Sequence, residues 1–159
     1  ANAGQKSLGG SASRILASFL TWMQEKTSPV FIGATANNIE LLPPEILRKG
    51  RFDELFYVEL PQENERAEII RIHLAKKNVP LNKFNYPDLV KITEGFNGAE
   101  IEQGVMAALF RAFSERREMA QTDLFIALEN IVPLSTTMKE QIKTLERWAF
   151  NRALRAGGD

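Results

Sequence analysis

The chain has 159 residues, 17.9 kDa, with 44% hydrophobic and 25% charged residues, a normal make-up for a soluble globular chain of one domain or two small ones. Twenty Lys and Arg balance twenty Asp and Glu, which argues against a dedicated nucleic-acid binder or a polybasic membrane anchor, since both draw affinity from a basic excess. Cysteine is absent and His73 is the single histidine, so disulfides, thiolate zinc sites, cysteine nucleophiles and multi-histidine metal sites are excluded.

The first ten residues are small and polar, with Gly4, Gly9 and Gly10, and read as a flexible lead-in. A helix follows, capped by Ser11 or Ser13, with Ile15, Leu16, Phe19, Leu20 and Met23 at helical spacing. Thr27-Ser28-Pro29 ends it. Residues 30–35 read as a short buried strand, and the polar pair Asn37-Asn38 comes directly after. Pro43-Pro44 starts a short helical turn to about Arg48, broken by Gly50. Residues 55–60 read as a second strand, stopped by Pro61.

The pattern changes at Pro61, after which no strand is predicted. Residues 63–78 form a helix with Ile69, Ile70, Ile72 and Leu74 on a broad apolar face. A shorter helix spans 87–93. Asn97 caps a long one reaching about residue 118, and Glu100, three positions on, completes a capping box. Further helices cover 122–130 and 139–154, the last ending at Gly157-Gly158. An α/β piece over 1–61 is thus expected to precede an all-helical piece over 62–159. No repeat, no low-complexity segment, no signal peptide and no membrane-spanning run is read. The longest apolar run, Val105 to Phe110, has six residues where a span needs about 20.

The stretch from Gly33 to Asp53 carries the chemistry. It sets an amide, Asn37, at the end of a buried strand and two arginines, Arg48 and Arg51, on a tight turn. Ligands gather at the carboxyl ends of strands in open α/β sheets. A guanidinium on a rigid turn is an always-charged, planar donor fork for a neighbour's phosphates. Taken singly, Asn-Asn after a strand is an ordinary turn, and the arginines fit a solvated face or pairs with Asp53 and Glu54.

Taken whole, Thr35-Ala36-Asn37 followed by Leu42-Pro43-Pro44-Glu45-Ile46-Leu47-Arg48-Lys49-Gly50-Arg51-Phe52-Asp53 resembles the second region of homology of the AAA family of ATPases. The resemblance implies an α/β P-loop NTPase fragment, the end of the large subdomain, followed by an all-α lid. It puts Asn37 at sensor 1, which reads the γ-phosphate and the attacking water. It puts Arg48 and Arg51 at the arginine-finger positions, which complete the active site of the next subunit in a ring. A cation delivered in this way is worth about 10³–10⁵ in rate in other NTPases. Ala36 departs from the usual Thr and Lys49 from the usual Pro.

Glu63 to Leu74 resembles the first helix of the AAA lid, with Ile69 and His73 on one face. In the family that face packs on adenine and ribose. A lone histidine on an apolar helix also reads as a partly buried core residue. Gly95-Phe96-Asn97-Gly98-Ala99-Glu100 resembles the family's sensor 2 region. There Gly98 lets the backbone approach the base, and Ala99 stands where the wider family often has an arginine. Ile101, Val105, Ala108, Leu109, Ala112 and Phe113 on the long helix read as lid core. Lys139, Lys143, Arg147, Arg152 and Arg155 read as a solvated face or a subunit contact, and Trp148 and Phe150 as docking aromatics.

No P-loop sequence occurs. Gly4-Gln5-Lys6-Ser7 has neither the glycine spacing nor a preceding strand. No strand ending in Asp-Glu precedes Asn37, so Mg²⁺ ligands are not expected in this chain. Thr21 to Lys26 and Ala34 to Asn38 look most like a branch of AAA proteins encoded in algal chloroplast genomes and in cyanobacteria. The implied parent is a ring, a hexamer, that uses ATP or ADP with Mg²⁺ to remodel a macromolecule. It would reside in chloroplast stroma or bacterial cytoplasm, with no membrane or nucleic-acid partner expected. Alone, the chain is expected not to hydrolyse ATP. In the family the P-loop strand lies between the two strands present here, so both are expected to be short of their central partner. The chain would then pair with itself, pair with the missing half, or keep its first 60 residues loosely ordered. A non-catalytic helical interaction module is the competing reading. A DNA-processing ATPase subunit shares the fold but gains nothing from the neutral charge.

Overall fold

The computed structural model describes residues 4–39, 42–48 and 50–157, with 4–13 described by their backbone alone. The Lys49 departure and Gly158 of the expected helix end lie outside these residues. The chain divides into two compact units. One comprises residues up to 56 with 152–154, the other 57–151 with residues from 155 onward.

The first unit is dominated by helix α1, Gly4–Glu25. The expected lead-in is therefore helical. Nothing between Gly4 and Ser13 breaks a helix as proline does, and glycine weakens one by only about 1 kcal/mol each. Ser11 and Ser13 lie inside α1 and do not cap it. Of the predicted stripe, Leu20 is buried, Leu16, Phe19 and Met23 are half-buried, and Ile15 is exposed. Phe19 stacks on Trp22 with ring centroids 5.9 Å apart.

The strand expected over 30–35 does not form. Phe31 is 97% exposed and Val30 half-exposed. A strand must hand its backbone N–H and C=O groups to a neighbour, and among the described residues none pairs with this segment. The Pro43–Arg48 segment is a turn rather than a helix, closed by Ile46 N–H donating to Pro43 O at 3.0 Å. Ile46 is buried within it.

The strand expected over 55–60 shrinks to β1, Phe56–Tyr57. It pairs with a strand not predicted from the sequence, β2, Leu154–Arg155, which shortens the last helix. Leu154 N–H donates to Leu55 O at 2.8 Å and Ala156 N–H to Tyr57 O at 2.9 Å. Both chains advance together by two residues, so the pairing is parallel.

The second unit is helical. Its helices are α2 Glu63–Lys76, α3 Tyr86–Ile92, α4 Gly98–Ser114, α5 Gln121–Glu129, α6 Leu134–Thr137 and α7 Lys139–Phe150, with a 3-10 turn at Leu81–Lys83. Helix α4 packs on both α2 and α5. Its buried Ile101, Val105, Ala108 and Ala112 meet Ile70 and Leu74 of α2 and Leu124 and Leu128 of α5. Gly104 faces Leu128 so closely that an added Cβ would lie 3.1 Å from Leu128 Cγ and nearer still to a methyl. The missing side chain sets how closely these helices approach. Leu109 packs against this core, whereas Phe113 is exposed rather than part of it. Among the described residues no helix is long and apolar enough to cross a membrane.

Two polar devices hold the helices. Arg66 of α2 is buried and donates to Pro61 O at 2.9 Å and Val90 O at 3.2 Å, fastening α2 to α3. Asp123 of α5, 1% exposed, accepts both guanidinium nitrogens of Arg117 at 2.5 and 2.6 Å. It also accepts the Ala120 N–H at 2.9 Å and lies 3.2 Å from Arg111 Nε. The Arg117 hydrogen bonds outweigh the opposing effect of burial and hold the Asp123 carboxyl down at about 2.

Candidate functional site

The candidate residues fall into two sets, one in each unit. Ile69, His73, Gly98 and Ala99 belong to the helical unit. Ile69 and His73 lie one turn apart on α2, and Gly98 and Ala99 open α4. The packing of α2 on α4 joins them. Ile69 Cδ1 sits 3.9 Å from the position a Gly98 Cβ would take, an ordinary contact distance, so the Ile69 side chain borders the start of α4. The His73 side chain is 15% exposed, with Nδ1 3.6 Å from Glu102 Oε1 of α4. At that distance the pair is an electrostatic neighbour and not a hydrogen bond.

The start of α4 is built by local chemistry legible in the sequence. Asn97 Oδ1 accepts the Glu100 N–H at 2.9 Å, and Glu100 Oε2 accepts the Asn97 N–H at 2.8 Å. This reciprocal box satisfies two of the backbone donors that a helix start leaves open. Gly98 is half-buried and Ala99 exposed. A small apolar wall borders a helix start carrying positive partial charge, with the imidazole beside Glu102 of that helix. That donor set fits a purine base and ribose. The two nearby carboxylates, Glu100 and Glu102, make it a poor place for phosphate.

Asn37, Arg48 and Arg51 belong to the other unit. Asn37 is exposed at a bend after the unpaired segment. Arg48 is exposed and Arg51 half-exposed, flanking Gly50 at φ +90°, a conformation that suits glycine. Arg51 N–H donates to Arg48 O at 3.4 Å. Among the described residues neither guanidinium is ion-paired, so the pairs with Asp53 and Glu54 do not form. Both side chains are set on one turn by its backbone. Among the described residues no group of three or more His, Asp or Glu is placed to hold a metal ion.

Two residues escaped sequence reasoning. Arg66 resembled one more charge on a helical face, and only the tertiary position of the Val90 carbonyl reveals it. The capping pattern accounts for one Glu100 oxygen; the other accepts the Leu134 N–H at 2.7 Å, 34 positions away.

Comparison with known proteins decides the family. The AAA family model, ATPases associated with various cellular activities, matches residues 1–60. An AAA domain-containing protein of Trieres chinensis, named ycf46, is 44% identical over 147 residues, covering 92% of this chain and 30% of that protein. The chain belongs to the AAA family. It is the C-terminal portion of an AAA domain with a helical lid, on the ycf46 branch. The proteasome-activating nucleotidase of Sulfurisphaera tokodaii is 39% identical over 72% of the chain and 29% of its own length. The chain thus spans about three-tenths of these relatives. The AAA fold is seen again in the crystal structure of the FIGL-1 AAA domain in complex with ADP. That domain has a TM-score of 0.73 and 22% identity, over 92% of this chain and 54% of that one.

Proposed function

We propose that this chain supplies the sensor, trans-acting and lid parts of an ATPase that works as a ring and remodels a macromolecule. Residues 1–61 are the end of the large α/β subdomain and residues 62–159 are the lid. In this reading Ile69, His73, Gly98 and Ala99 hold adenine and ribose. Asn37 orients the attacking water beside the γ-phosphate. Arg48 and Arg51 reach the nucleotide of the neighbouring subunit and stabilise the charge that develops on its transferring phosphoryl group. Mg²⁺, when bound, would neutralise phosphate charge, and its ligands lie outside this chain. The chain alone is inactive, the ring is a hexamer, and the compartment is chloroplast stroma or bacterial cytoplasm.

The observation that carries the reading is the packing of α2 on α4, which sets Ile69 beside Gly98 and His73 beside Glu102. The dense match of residues 35–53 to the family pattern and the ADP held by the FIGL-1 domain support it. The test is steady-state ATPase activity of the complete open reading frame beside its Arg51→Ala variant. The expected result is turnover that falls at least about 100-fold in the variant while nucleotide binding persists. An unchanged rate removes the arginine-finger role. A complete protein without turnover favours the non-catalytic interaction module, a reading supported by the exposed Phe110 and Phe113 on α4.

A further inference from the structure

Glu100 is 7% exposed, and no cation pairs with it among the described residues. Its two oxygens divide between two backbone donors. Oε2 holds the Asn97 N–H at 2.8 Å, at the turn that carries Gly98 and Ala99. Oε1 holds the Leu134 N–H at 2.7 Å, the first residue of α6. A helix cap needs only the first bond. The second crosses 34 positions of sequence.

A second contact runs beside it. Gly95 has φ +76°, and an added Cβ there would sit 2.6 Å from Ser135 Oγ of α6. Helix α6 therefore lies against bare backbone on one side of the turn and is hydrogen-bonded to its cap on the other. It leads directly into α7, since Met138 N–H donates to Leu134 O at 2.7 Å and Ile142 N–H to Met138 O at 3.0 Å. The turn, α6 and the start of α7 form one hydrogen-bonded chain with Glu100 at its middle.

We propose that Glu100 is a positioning residue that couples the Gly98–Ala99 turn to α6 and α7. The carboxylate suits this task because it accepts at both ends. An amide at the same place would present an NH₂ to one of the two N–H donors. The function of the coupling rests on the nucleotide reading of the turn. A ligand that fixes Gly98–Ala99 also fixes α6, and by reciprocity whatever holds α6 and α7 strengthens binding at the turn. The exposed cations of α7, Lys139, Lys143 and Arg147, then lie on an element that responds to occupancy.

Amide hydrogen exchange of the 159-residue chain tests this without a ligand. Glu100→Asp keeps the charge and reaches the Asn97 N–H, but is one methylene too short to reach Leu134 as well. The expected result is exchange at amides 134–138, α6 and the residue that caps it, at least ten times faster, with residues 97–99 and the cores of α2 and α5 unchanged. Glu100→Gln is expected to loosen α6 or the turn. Unchanged exchange at α6 in Glu100→Asp overturns the coupling, and so does a uniform rise over every helix, which is a merely structural loss. Adding ADP separates the two readings. In the wild-type chain ADP is expected to slow exchange at both the turn and α6, and in Glu100→Asp at the turn alone. Protection of the wild-type turn without α6 overturns the coupling. Protection nowhere overturns the nucleotide reading of the turn, and the coupling is then decided by the ligand-free comparison.

Discussion

Replacing Gly104 with Ala adds one methyl at the crossing of α4 and α5. That methyl would stand 3.1 Å from Leu128 Cγ and 3.6 Å from Ile131 Cδ1, and nearer still to a Leu128 methyl. Carbon atoms settle about 3.5–4.0 Å apart, so Leu128 must turn or the helices must separate. Leu128 is 1% exposed, so any movement it makes must be taken up inside the core. Overpacking of this kind costs about 1–3 kcal/mol. The Gly-to-Ala gain in helix propensity returns about 1 kcal/mol. The net expectation is a loss of up to about 2 kcal/mol, a fall of up to about 15 °C in melting temperature for a unit of roughly 100 residues. Urea unfolding followed by circular dichroism measures it. Leu128→Ala alone should cost about 2–5 kcal/mol. The double variant should cost at least about 1 kcal/mol less than the sum, because the new methyl occupies space the leucine leaves. A stabilised Gly104→Ala, or strict additivity, would refute the claim that this glycine sets the helix spacing.

Three further outcomes are expected. Asp123 has its carboxyl lowered to about 2 by Arg117, so its contribution is full above the ordinary carboxylate value near 4. It is lost as pH falls toward 2, because the unfolded chain takes up the proton first. Unfolding midpoints between pH 5 and 2.5 should show that fall, and Asp123→Asn should be less stable at pH 7 with a shallower acid limb. Arg66→Met should cost about 2–3 kcal/mol in chemical unfolding, since the Pro61 and Val90 carbonyls lose a charged donor; a loss under about 0.5 kcal/mol would show that the buried guanidinium is not a fastener. Phe31→Asp should leave the unfolding free energy within about 0.5 kcal/mol, because Phe31 is almost wholly exposed. It should also lower self-association in light scattering, by placing a charge on an unpaired extended segment.

The helical unit was largely legible in the sequence because its signals are local. Asn97 and Glu100 form their capping box within four residues, and the apolar stripe of α4 is buried down to Ala112. Phe113 broke that pattern, and Phe110 three positions before it is exposed too. Periodicity gives the apolar face of a helix but not how far along it a neighbour extends. Residues 30–35 show the opposite case. Their Val-Phe-Ile pattern describes a strand whose stability comes from pairing partners distant in sequence, and no local signal supplies those. β2 was missed for the same reason. Two residues, Leu154 and Arg155, carry no period, and only the Leu55 and Tyr57 carbonyls make the segment a strand.

The same distinction bears on how ready each candidate residue is for chemistry. Catalytic and binding groups act when packing and neighbouring hydrogen bonds fix their positions to a fraction of an ångström. Around the Gly98–Ala99 turn that support is in place. Asn97 and Glu100 cap it, Ser135 closes on Gly95, and Ile69 lies against Gly98. Asn37 and Arg48 are exposed, and what orders the arginine pair is backbone: a turn, a glycine at positive φ and one 3.4 Å hydrogen bond. If, as proposed, these residues contact base and ribose, that surface is rigid within the helical unit itself. An arginine acting on a neighbour's phosphate gains its final geometry only when that neighbour is docked. Nucleotide contact at the lid should consequently survive in variants that abolish turnover through Arg48 or Arg51, and this separation of binding from rate is the signature of a residue that acts in trans.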